Sequence, residues 1–393
     1  MPAAPSDPAT ADDVRGLFDI PRSVAYLNSA FMGPAPRQVV AAGHLAMERK
    51  ARPWSVAADD FFQPIERVRS LVAGLLGGDR DGVAVVPSVS FGLSTFAAQL
   101  RLRPGQVVLV PAEEFPSNLY PWIEAAAAAG GSVVQVPRDS SGSFDAPLDD
   151  EIARRGDQVA LVAAMACHWT DGTPVDLVAL GAAARSVGAA LAVDVSQSLG
   201  AVPFDVAAVQ PDVVAGVTYK WLLGPYGLGY TWFAPRWREG SPLDHGWANR
   251  AGAEDFASLT IASPGYRPGA RRYDVGESAF HHLVGQAEEA LRLVGGWADD
   301  VVEHCRRLTD RIATGAAELG LAVAPADRRS PHLLGLGLAG TSLDPAALAA
   351  QLAADGVYVS VRGTSVRVSA HGFNDDQDVD RLLTALRSAT QST

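Results

Sequence analysis

Cysteine is nearly absent, with two in 393 residues, Cys167 and Cys305. They form no CxxC pair, and no His/Cys cluster has zinc spacing, which argues against a structural metal and against a disulfide framework. This usage fits a reducing cytoplasm. Charged residues are few, at 19%, and the net charge of −12 comes from interspersed acids and bases. No run of five or more Lys/Arg occurs, so the footprint of a nucleic-acid binder is missing. Long apolar runs are missing too. The alanines at 125–129 lie between charges and glycines, and no segment reads as a membrane span. The opening "MPAAPSDPATADD" has no basic start and no apolar core segment. It is not read as a signal peptide, and its first residues are expected to be disordered.

What is present is small and apolar. Hydrophobic residues make up 48% of the chain, ample for a large core in two or three domains. Short β-branched runs such as "GVAVVP" (82–87), "QVVLVP" (106–111), "QVALVAAMA" (158–166) and "AALAVDV" (189–195) alternate with helical stretches. Runs apolar on both faces are those of a parallel sheet covered by helices. After about residue 265 the pattern changes to a long helix, in two pieces, followed by strands "HLLGLGL", "VYVSVRG" and "SVRVSA" among helices. The expected class is α/β: a large domain with a mostly parallel sheet between helices, plus a smaller C-terminal α+β domain. The expected limits are 1–20 for a partly disordered N-terminal segment, 21–264 for the large domain and 265–393 for the small one. The start of the chain is free to pack on the small domain.

In such sheets ligands gather at the carboxyl ends of strands. The polar residues just beyond the strands are therefore the candidates: Ser88 and Ser90, "AEEFPSN", "CHWTDG", Asp194 with Gln197, and Thr218-Tyr219-Lys220. Each has an ordinary reading. Serines cap helices, a strand-end aspartate caps the next turn, glutamine and lysine sit on surfaces, and Phe115 fills a core. Lys220 is less ordinary, because the stretch "GVTYKWLLGPYGLG" offers it apolar neighbours and no nearby acid. Taken jointly the set matches the needs of pyridoxal phosphate: a lysine for a Schiff base, an acid for the ring nitrogen, a helix start for the phosphate and a flat side chain for the ring. Desolvation near Lys220 would favour the neutral amine that attacks an aldehyde.

From "YLNSAFMGPAP" (26–36) to "VRVSAHGFNDDQDVDRLLTAL" (366–386) the chain resembles the class V aminotransferase family of fold type I, which includes cysteine desulfurases, kynureninases and isopenicillin-N epimerase. The most specific parts are "LAVDVSQSLGAVPFDV" and "YKWLLGPYGLG", with Asp194 and Lys220 separated by 26 residues. The resemblance implies that Lys220 holds the cofactor and moves protons at the substrate α-carbon. Asp194 would keep the ring nitrogen protonated, and Gln197 would meet the ring oxygen. Val89 and Ser90 would bind phosphate, helped by Thr218 and Tyr219. Phe115 would stack on the ring, His168 and Trp169 would line its other edge, and Arg367 with Asn28 would hold the substrate carboxylate. It also implies a homodimer with the active site at the interface, and "RRYDVGES" (271–278) resembles the segment that reaches a neighbour's phosphate site.

Several reactions remain open. Persulfide-forming desulfurization is disfavoured, because no cysteine lies between Cys305 and Arg367. Transamination or elimination (including C–S cleavage) on a small-molecule amino acid is the leading expectation. Epimerization would need a second acid/base, with His168, His371 or Tyr273 as candidates. Substrate selection is expected from residues 28–33, 52–62 and 245–275, with His245, Trp247 and Tyr273. A non-catalytic binding protein would have lost the lysine or the Asp-x-x-Gln, and neither is lost. A nicotinamide dehydrogenase would need G-x-G-x-x-G after the first strand, where "VVPSVSFG" stands instead.

Overall fold

The structure is a computed structural model and describes residues 14–263, 265–278 and 281–391. The strands are, in chain order, β1 (Ala25–Tyr26), β2 (Val83–Val86), β3 (Val107–Pro111), β4 (Ser132–Val136), β5 (Val159–Met165), β6 (Ala190–Asp194), β7 (Val213–Val217), β8 (Gly229–Phe233), β9 (Leu333–Gly337), β10 (Val357–Tyr358), β11 (Ser360–Arg362) and β12 (Ser365–Ser369). A seven-stranded sheet has the order β2-β8-β7-β6-β5-β3-β4. Its pairs from β4 through β7 are parallel, and β8 runs against both of its neighbours. The apolar runs form these strands because helices cover both faces. Residues of β2, β3, β6 and β8 are buried along their whole length, while β4, at the edge, keeps Ser132 and Gln135 exposed.

The covering helices start where the sequence supplies caps. Ser88 accepts a hydrogen bond from the Phe91 N–H (3.2 Å) and opens helix Val89–Ala97. Asp176 accepts from Val178 and Ala179 and opens Leu177–Ser186. Such caps satisfy N–H groups that the helix itself leaves orphaned. Because β2, β3, β5, β6 and β7 point the same way, the residues just beyond their ends meet along one edge of the sheet.

A second sheet, β11-β12-β9, is antiparallel and places Ser360 and Gly335 on either side of Arg367. The expected single strand "VYVSVRG" is two strands that serve different sheets: β10 pairs with β1, and β11 with β12. The long helix is indeed two, His281–Gly295 and Ala298–Glu318, parted at Gly295-Gly296, where the chain gives up helical preference. Residues 1–13 of the expected N-terminal segment lie outside the described residues. The next turn of chain packs on the C-terminal part: Arg15 pairs with Asp378 at 2.7 Å, and the Phe18 and Phe373 rings lie 4.9 Å apart.

Candidate active site

Lys220 stands in the turn that reverses β7 into β8. The turn is held by Thr218, whose buried hydroxyl lies 2.8 Å from the carbonyls of both Pro225 and Leu228. Thr218 therefore points into its own turn, and its hydroxyl is committed there. Segment 28–33 passes directly beneath. The Gly33 N–H donates to the Tyr219 carbonyl at 2.9 Å, and a Cβ at Gly33 would stand 2.0 Å from the Lys220 carbonyl oxygen. Only glycine permits that approach.

The Lys220 side chain is 7% exposed and enters a cavity of about 290 Å³. Its Nζ is 5.3 Å from the Phe115 ring centroid and 5.7 Å from that of Tyr219. Burial pushes its pKa down to about 8, Asp194 works against this, and the Arg367 and Arg362 guanidiniums add to it. Asp194, at the end of β6, accepts from the Ser196 N–H at 2.7 Å, and burial raises its pKa. Neither Lys220 nor Asp194 forms an ion pair among the described residues.

Gln197 is fixed from three sides. Its Nε2 donates to the Ala30 carbonyl (3.0 Å), and its Oε1 accepts from Trp221 Nε1 (3.0 Å). Its own carbonyl lies 2.5 Å from His332 Nε2 and accepts from the Cys167 thiol at 3.3 Å. An amide nitrogen has two hydrogens, so one Gln197 N–H remains free at the cavity wall. Behind it, the Trp221 ring meets His332 edge-on at 4.3 Å and stacks on His371 at 5.7 Å.

Val89, Phe115, Trp169, Asp194, Gln197, Tyr219 and Lys220 thus line one cavity, together with Ser88, Glu114, Cys167 and Tyr226. The other expected residues lie elsewhere. Ser90 hydrogen-bonds to Ser88 at 3.0 Å and opens onto a larger groove of about 960 Å³ between helices Val89–Ala97 and Tyr120–Ala129. His168 is fully buried, stacks on Phe144 at 5.3 Å and meets Thr170 Oγ1 at 2.6 Å. Its ring is spent on the fold, and burial lowers its pKa. The Asn28 Oδ1 accepts from the Ser360 hydroxyl at 2.7 Å, which ties that side chain to β11. None of the expected substrate-selecting stretches, 28–33, 52–62 and 245–275, contributes a described residue to the cavity wall. Trp247 joins Phe61, Phe62 and Phe256, and the buried Tyr273 donates to the Trp237 carbonyl.

Arg367 approaches from β12 and is 1% exposed. Its Nη1 donates to the Trp169 carbonyl at 2.6 Å, while Nε and Nη2 are buried without partners. Burial and the nearby Arg362 lower its pKa to about 9. An arginine with its Nε–Nη2 edge unpaired is shaped to receive a carboxylate bidentately.

Glu114, within the candidate stretch "AEEFPSN", is a wall residue to which the sequence assigned no role. It accepts from the Phe115 N–H (2.7 Å) and Asn118 Nδ2 (3.0 Å), and Asn118 in turn accepts from Trp122 Nε1 (3.1 Å). Burial, with Asp194 nearby, raises its pKa well above the usual range. The available signal was the spacing of Glu114, Asn118 and Trp122, four apart. Lysine itself is scarce: Lys50 and Lys220 are the two the chain has, against 30 arginines.

Comparison with known proteins matches residues 25–382 to the family described as Aminotransferase class-V. This chain belongs to the class V aminotransferase family. The cofactor of that family is pyridoxal phosphate. A kynureninase from Deinococcus radiodurans is 30% identical over 273 residues, covering 67% of this chain and 63% of that protein. The chain thus spans less than two thirds of that relative. An isopenicillin N epimerase from Streptomyces clavuligerus is 25% identical over 408 residues, covering 96% of this chain and 98% of that protein. Among solved structures, an apo cysteine desulfurase from Thermococcus onnurineus NA1 superposes with a TM-score of 0.83 at 20% identity, over 99% of this chain and 100% of that one. That likeness establishes that this class V member has the same α/β fold. Among the described residues, no helix is long and apolar enough to cross a membrane, and no group of His, Cys, Asp and Glu could hold a metal ion.

Proposed function

We propose that this protein is a pyridoxal-phosphate enzyme working at the α-carbon of a small-molecule amino acid, as an aminotransferase or a lyase cleaving at Cβ, including C–S bonds. The observation that carries the reading is a set of three buried charges that form no ion pair among the described residues: Lys220 and Asp194 line the cavity, and Arg367 is bonded to the carbonyl of its wall residue Trp169. Buried charges are costly when unpaired, and this cofactor with an amino-acid substrate would answer all three. Its aldehyde suits the Lys220 amine, its ring nitrogen suits Asp194, and a substrate carboxylate suits the free edge of Arg367. The backbone N–H groups at Val89 suit its phosphate. When bound, it supplies an electron sink for the pair left by a bond broken at the α-carbon.

The residues supply the rest. Lys220, with its pKa brought to about 8, takes the proton from the substrate α-carbon at Nζ and returns it. Asp194 stays anionic beside a cation. Gln197 offers its free N–H to the ring oxygen, and Phe115 covers one ring face. Arg367 and the Trp169 carbonyl that holds it fix the substrate carboxylate. Both cysteine thiols are buried, with pKa values pushed up to about 12; neither is a nucleophilic thiolate, which supports chemistry without a persulfide on the protein. For epimerization, the three second acid/base candidates are occupied elsewhere: His168 against Phe144, His371 against the Trp221 carbonyl, and Tyr273 against that of Trp237. Cytoplasmic location and a homodimer with the site at its interface are part of the same reading. Tyr226, 70% exposed at the cavity and 4.6 Å from Tyr219, suits such a cover.

Product analysis with a panel of amino acids tests the reaction. A keto acid formed with an aminated acceptor assigns transamination. Ammonia with pyruvate or sulfide assigns elimination. An inverted α-carbon with neither would overturn both.

A further inference from the structure

Buried arginines in this protein have acids. Arg15 pairs with Asp378, Arg69 with Asp274, Arg271 with Glu66 and Asp81, and Arg272 with Glu239. Among the described residues Arg367 is the buried exception, and it has a companion. Arg362, on β11, is half-buried and forms no ion pair among the described residues. Its Nη1 donates to the neighbouring Val361 carbonyl at 2.7 Å, and its Nε is buried without a partner. Its guanidinium carbon lies 5.5 Å from the ring centroid of Trp169, a wall residue of the Lys220 cavity.

Register puts the two cations on one face. Ser360 lies opposite Arg367 and Arg362 opposite Ser365, and side chains two apart in a strand share a face. Arg362 and Arg367 are therefore diagonal neighbours, separated by about 7–8 Å at the backbone. Each is near enough to Lys220 to lower its pKa, and Arg362 lowers that of Arg367 as well. Like charges so placed destabilise the empty site unless anions arrive.

One carboxylate does not account for both. The Nε–Nη2 edge of Arg367 can take both oxygens of an α-carboxylate by itself. Arg362 presents a second guanidinium next to it, without an acid among the described residues and with its Nε unpaired, over the aromatic wall.

We propose that the substrate is an α-amino acid with a second carboxylate on its side chain, and that Arg362 reads that group. This rests on the functional reading above and narrows its substrate class.

The test uses the cofactor-loaded enzyme and monitors the cofactor absorbance on titration with L-aspartate, L-asparagine, L-glutamate and L-glutamine. At least one acid should bind about tenfold or more tightly than its amide, the scale of a charge-assisted contact. Arg362→Gln and Arg362→Met should bring that acid-to-amide ratio close to one. Arg367→Gln should weaken acid and amide alike. The proposal is overturned if amides bind as tightly as acids. It is also overturned if the Arg362 variants weaken both by the same factor, which would assign both guanidiniums to the α-carboxylate. If no amino acid perturbs a cofactor that is bound on Lys220, the functional reading falls together with this one. Reaction with neutral amino acids alone removes only the present proposal.

Discussion

At the scale of the residue, Lys220 is defined by its surroundings. A solvent-exposed lysine keeps a pKa near 10.4, whereas burial lowers that of Lys220 to about 8. The sign is set by charge. Desolvation penalises the ammonium form, so the folded chain releases this proton at lower pH than the unfolded one. Attack on an aldehyde needs the free amine. The rate at which the apoenzyme captures pyridoxal phosphate should therefore rise with pH through a midpoint at about 8 and then level off. A capture rate still climbing steeply above pH 9.5 would mean an ordinary lysine. The same depression costs stability wherever the folded protein must keep Lys220 charged, below its folded pKa, and relieves that cost as pH rises toward the unfolded value. Apo Lys220→Met should accordingly melt higher than apo wild type at pH 6.5, with the gap closing toward pH 10. The position of Lys220 was legible in sequence because a lone cation in an apolar stretch ending in glycines has few explanations. Arg367 was legible as a residue, but its free edge was not, since that depends on the Trp169 carbonyl arriving from a distant loop.

At the scale of the element, continuous apolar runs revealed the strands of the large sheet, because burial on both faces leaves no other pattern. The reversal of β8 was not revealed, as a buried antiparallel strand carries the same composition. Strand ends gave the cavity wall at Val89, Phe115, Trp169, Asp194, Gln197, Tyr219 and Lys220. They failed for Ser90, Thr218 and His168, where a local hydrogen bond or stacking turned the side chain aside, a competition that spacing does not encode. His332 and His371 were missed as supports, because they reach Gln197 and Trp221 from segments more than 100 residues away. They tie the C-terminal part to the floor of the cavity. Burial lowers both of their pKa values to about 4, so near neutral pH each is uncharged and its Nε2–H donates to a carbonyl. His332→Leu should weaken cofactor affinity by about tenfold, the scale of one buried hydrogen bond. His332→Gln, which keeps an amide N–H near the Nε2 position, should recover most of the loss. Equal cofactor affinity in both variants, with only a lowered melting temperature, would make His332 a packing residue alone.

At the scale of the whole molecule, the N-terminal and C-terminal ends of the described chain are clamped together. Arg15 donates to Asp378 at 2.7 Å and to the Phe373 carbonyl, and both side chains of the pair are about 5% exposed. Removing one partner leaves the other charge buried. Arg15→Ala should cost about 3 kcal/mol in urea unfolding, while Arg15→Met with Asp378→Leu should cost clearly less. A double variant as unstable as the sum of its single changes would show that the pair is not coupled. The clamp was only partly legible, since the ends of a chain carry no sequence sign of their meeting.

The scarcity of lysine makes the central claim easy to test. Lys50 is exposed and Lys220 is buried, and the chain has no others. Borohydride reduction of the purified, cofactor-loaded protein and then peptide mass analysis should place the pyridoxyl group on Lys220 and leave Lys50 free, and the yellow colour should be lost. A pyridoxyl mass on Lys50 alone, or on neither lysine in a protein saturated with pyridoxal phosphate, would contradict the account.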